Sequence, residues 1–70
     1  IMDFLDQINS KRAELAKTQV KIADTKLKLE KTTMESERRI LSQLLELYAD
    51  KVDYLEQRII NLLAIMDGEP

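Results

Sequence analysis

Between residues 41 and 66, apolar side chains recur at alternating steps of four and three: Leu41, Leu45, Tyr48, Val52, Leu55, Ile59, Leu62 and Met66. Such steps put all eight on one side of an α-helix, as the a and d positions of a heptad repeat. The pattern predicts a long helix. A lone helix cannot bury a seam of this kind, so these residues are expected to lie against another helix.

The N-terminal half carries two apolar stripes. Ile8, Leu15, Ile22 and Leu29 recur every seven residues. So do Ala13, Val20, Leu27 and Met34, which run on in register into Leu41, Tyr48, Leu55 and Leu62, with Ala16 and Ala23 between the stripes. Together they span an arc of roughly 180–200°, wider than a two-stranded seam and suited to a helix with two neighbours. Ile8, Leu15, Val20, Ile22, Leu27 and Leu29 therefore join the eight seam residues as the expected interface. Lys17, Asp24, Lys31 and Arg38 extend the seam backward with charge. The N-terminal half is accordingly expected to pack through its apolar stripes, more weakly than the C-terminal half.

The Ile8 stripe skips Ser36 and resumes at Ile40, Leu47 and Tyr54. The eleven-residue step from Leu29 to Ile40 reads as a stutter in one continuous helix. In the same stretch, Thr32-x-x-Glu35 fits a capping box, which starts a new helix. Two all-α arrangements follow. The first is a single long helix, roughly 100 Å at about 1.5 Å per residue, that forms a coiled coil or bundle by self-association. The alternative is a helical hairpin turning near 31–36, counted against because no glycine or proline marks the turn. Val20-Lys21-Ile22 and Leu27-Lys28-Leu29 also alternate as a β-hairpin would. The alanines and the unbroken seven-residue spacing favour helix, although Thr18, Thr25 and Thr32, on the same spacing, lower its propensity. Helix entry is expected at Asp3, or later at Asn9 or Ser10. Exit is expected at Asp67-Gly68, through a left-handed glycine, with Pro70 beyond it.

Composition agrees with a helical assembly. The chain has 70 residues, 44% apolar and 34% charged, with one glycine and one proline, the signature of a coiled coil or long helix. So short a chain buries only a small core, and association is one way to enlarge it. It is read as a single helical segment, and its start at Ile1 instead of Met suggests a piece of a longer protein. Ile1, Met2, Phe4 and Leu5 form an apolar N-terminal cluster expected to pack on a sister helix.

The same composition narrows the chemistry. There is no cysteine and no histidine, which excludes disulfides and thiolate or imidazole metal sites. Ser10, Ser36 and Ser42 have no imidazole or thiol beside them to make a nucleophile–base pair. Glu46, Asp50 and Asp53 lack the loop geometry of a calcium site, and Glu35 and Arg39 read as an intrahelical ion pair. No catalytic, cofactor or metal residue is assigned. Net charge is −2, which does not point to nucleic acid or a membrane surface. The longest apolar run, Leu62 to Met66, is far too short to span a bilayer. The compartment stays open, with the cytoplasm as default.

Charge is segregated along the chain. Lys17, Lys21, Lys26, Lys28 and Lys31 make one segment basic, and Glu46, Asp50, Asp53 and Glu56 make another acidic. Antiparallel pairing sets the first beside the second, whereas in-register parallel pairing stacks like on like. The expected function is thus a non-enzymatic protein–protein interaction module that oligomerises through Leu41 to Met66 as a homo-oligomer, dimer or tetramer, with antiparallel pairing favoured. A hairpin that holds a partner helix, as a chaperone does, is the alternative. A helical segment of a DNA-associated assembly, with the lysines, Arg38 and Arg39 on phosphate, is a third reading and is disfavoured because the interleaved aromatics of single-strand binders are missing.

Overall fold

Asp3 opens the first helix. Its backbone is extended, and its Oδ1 accepts the Asp6 N–H at 2.8 Å, satisfying one of the donors that a helix N-terminus leaves unpaired. From there α1 runs over Phe4–Lys31. After three residues the chain folds back into α2, Glu35–Gly68. This computed structural model describes residues 3–68. The chain is therefore all-α, and of the two arrangements it adopts the hairpin, not the continuous helix. The molecule measures 55 × 17 × 15 Å, about the length of α2 alone. The segment that could read as a β-hairpin, residues 20–29, is helical throughout.

The turn is made by Thr32, Thr33 and Met34, none with a positive φ. Glycine is not needed here because the chain leaves α1 through ordinary extended backbone, with Thr32 at φ −85° and ψ 130°. Extended backbone suits β-branched threonine. Thr32 closes α1 and does not open α2. Its N–H and its hydroxyl both donate to the Lys28 carbonyl, at 3.0 and 2.7 Å, so the capping box expected from Thr32-x-x-Glu35 is not used. Arg38 pins the turn from the far side. Its Nη1 donates to the carbonyls of Leu29 at 2.8 Å and Thr32 at 3.0 Å, placing a cation where the α1 dipole is negative. At the other end, Gly68 is still helical and has no positive φ, so the left-handed exit is not seen. Ile1, Met2 and Pro70 lie outside the described residues.

The hairpin core is narrow. Ile8, Leu55, Ile59 and Leu62 are its buried apolar side chains among the described residues. Ile8, Ile59 and Leu62 cluster together, with Leu15 and Leu63 packed against them, so the densest packing sits at the open end. Toward the turn, α1 offers threonine instead. Thr18 and Thr25 are buried, and their hydroxyls donate to the carbonyls of Glu14 at 2.9 Å and Lys21 at 2.7 Å. Back-bonding of this kind satisfies a hydroxyl that would otherwise be costly inside.

Candidate interaction surface

The predicted seam meets its neighbouring helix within the same chain. Leu55, Ile59 and Leu62 are buried, and Leu41, Leu45, Tyr48 and Val52 are half-buried. Met66, at the open end, stays largely exposed. On α1, Ile8 is buried and Leu15, Ile22 and Leu29 are half-buried, while Val20 and Leu27 are exposed. The structure thus brings the Ile8 stripe onto the α2 seam and leaves the Val20 stripe outside. The two α1 stripes lie about 150° apart at about 100° per residue, so one neighbour cannot cover both.

The α1 side of the seam contains residues that apolar periodicity passes over. Three residues on from Leu15, Ile22 and Leu29 stand Thr18, Thr25 and Thr32, which complete an alternation of threes and fours. Counting threonine as a seam residue would have revealed it.

With the seam covered, the exposed apolar surface lies elsewhere. On α2, Ile40, Leu47 and Tyr54 are 62%, 64% and 58% exposed, and Leu44 beside them is half-buried. They form a second stripe roughly 100° around the helix from the seam. At the turn end, this flank is a shallow groove lined by Lys28, Lys31, Glu37 and Ile40. The opposite flank holds another open groove, with Ile22, Leu45 and Val52 as floor and Lys26, Glu46 and Asp53 along it. Large exposed apolar side chains at helical spacing mark a surface that another helix could cover.

The basic and acidic segments meet in part, as antiparallel pairing of the two helices predicts. Among the described residues the ion pair between the helices is Lys51 Nζ to Glu14 at 3.5 Å, half-exposed on both sides, which is worth at most about 1 kcal/mol. Lys26 shares one flank with Glu46 and Asp53, whereas Lys28 and Lys31 line the other with Glu37. Of the cations considered for phosphate, Arg38 is engaged at the turn.

Among the described residues, no group of three or more acidic, histidine or cysteine side chains is placed to hold a metal ion. Among these residues, no buried side-chain nitrogen or oxygen lacks a hydrogen-bond partner, and no helix is long and apolar enough to cross a membrane. Compared with models of known families, with curated proteins and with solved structures, the chain matches none.

Proposed function

We propose that the hairpin is a non-enzymatic protein–protein interaction module that presents the outer face of α2 to another helix. The observation that carries this reading is the imbalance of apolar surface. Among the described residues four apolar side chains are buried, whereas Ile40, Leu47 and Tyr54, on one stripe, each keep more than half their surface in water. Moving such side chains from water into a contact gains about 25 cal/mol per Å² of apolar area. The seam from Leu41 to Met66 then serves the hairpin itself, and association uses the adjacent stripe.

The test is Leu47→Glu, examined where the chain is dilute enough to be monomeric. Helicity and melting temperature are expected to stay close to those of the parent, while association at higher concentration is lost. A clear loss of helix in the dilute monomer would assign Leu47 to the fold and end the reading. The groove over Ile22, Leu45 and Val52 supports a second reading, in which the hairpin cradles a foreign helix. That reading predicts a chain that remains monomeric and gains stability only when such a helix is supplied.

A further inference from the structure

We propose that the helix received by the outer face of α2 is α2 of a second copy, packed antiparallel about a two-fold axis beside Leu47. This rests on the interaction reading above and names its partner. A two-fold contact needs a surface complementary to itself, and this stripe is so arranged. Ile40 and Tyr54 lie seven residues to either side of Leu47. An antiparallel partner therefore sets Ile40 against Tyr54 of the second copy and Leu47 against its own equivalent. Farther out, Glu37 and Arg58 lie ten residues before and eleven after Leu47, on the same side of α2 as Leu44 and Lys51. The same rotation brings Glu37 beside Arg58 of the second copy, twice per dimer.

Glu37 and Arg58 are both exposed, and within the described residues neither takes part in an ion pair. Both are free to make this contact, whereas Lys51 is already directed to Glu14. In a parallel two-fold pair the two Glu37 side chains would lie on opposite edges of the contact, and neither would meet Arg58. Four apolar side chains per copy with their polar rims bury on the order of 1,000 Å² in total, the lower bound for a specific interface. The dimer is accordingly weak and concentration-dependent.

Cysteine pairing tests the register, since the chain has no cysteine of its own and a disulfide forms only between closely apposed positions. Under mild oxidation, Leu47→Cys is expected to cross-link to itself. Ile40→Cys is expected to link to Tyr54→Cys in a mixture and poorly to itself. Efficient 40–40 and 54–54 links would overturn the antiparallel arrangement, and a chain that sediments as a monomer at all concentrations would overturn self-recognition.

Charge reversal gives an independent reading. Glu37→Arg or Arg58→Glu alone should weaken self-association by roughly tenfold. Mixing the two variants, or combining them in one chain, should restore it. Weakening without restoration would place Glu37 and Arg58 outside the contact. Failure of the register or of the charge pair leaves the broader interaction reading standing, provided that Leu47→Glu still leaves the monomeric hairpin folded.

Discussion

Leu55 and Leu47 are the same residue type on the same helix, and the hairpin treats them oppositely. Leu55 is 1% exposed and faces α1, whereas Leu47 is 64% exposed. Truncation to alanine at Leu55 removes buried methyl groups and opens space that a two-helix structure fills only partly. Buried leucines lose about 2.7–5 kcal/mol on such truncation. The core here is one layer deep, with solvent on both flanks, so the lower end, about 2–3 kcal/mol, is expected. A chain of this size is held by roughly 3–10 kcal/mol in all, and about 1 kcal/mol shifts its melting temperature by about 4–8 °C. Leu55→Ala should therefore lower the midpoint by roughly 10–20 °C. At Leu47 only about a third of the side chain is covered, and alanine recovers a little helix propensity, so Leu47→Ala should cost under about 0.7 kcal/mol. Thermal melts followed by circular dichroism on dilute, monomeric protein measure both. Equal losses at the two positions would mean that the seam and the outer stripe share one core, and the packing described here would be wrong.

Two further outcomes follow from the turn and the threonine seam. Thr25→Val keeps the shape of a buried side chain whose hydroxyl only back-bonds to Lys21, so stability should be unchanged or rise by up to about 1 kcal/mol; a loss in the midpoint of urea denaturation would show that the hydroxyl has another role. Arg38→Ala removes both guanidinium bonds at the end of α1 and should cost about 0.5–1 kcal/mol, with amide hydrogen exchange accelerating first in the residues around the turn.

Much of this structure could be read directly from spacing. The eight positions from Leu41 to Met66 have a period that only a helix can turn into a single face, and α1 lies over that face except at Met66, which stays exposed. The recurrence of Ile8, Leu15, Ile22 and Leu29 likewise marked the opposing surface. The Asp3 cap was legible because a short acceptor side chain before a helical stretch has an immediate local use.

Other features depended on what the faces meet in space. Periodicity says that a face is apolar and is silent on whether its cover comes from the same chain. Both α1 stripes were candidates, and the hairpin takes Ile8, Leu15, Ile22 and Leu29, leaving Val20 and Leu27 in water. Within α1 the chosen stripe carries four long aliphatic side chains, whereas the other carries Val20 and Leu27 beside Ala13. The turn was similarly obscured, since Thr32, Thr33 and Met34 reverse the chain through extended backbone with no positive φ. A phase difference supplies the reason for the break. Leu29 and Leu45 are sixteen residues apart, so an unbroken helix would place the two seams about 160° from each other. Local sequence thus determined the helices and the side chains on each of their faces. Tertiary structure decided which faces close on each other, because only folding back at residues 32–34 lets the best face of α1 reach the best face of α2.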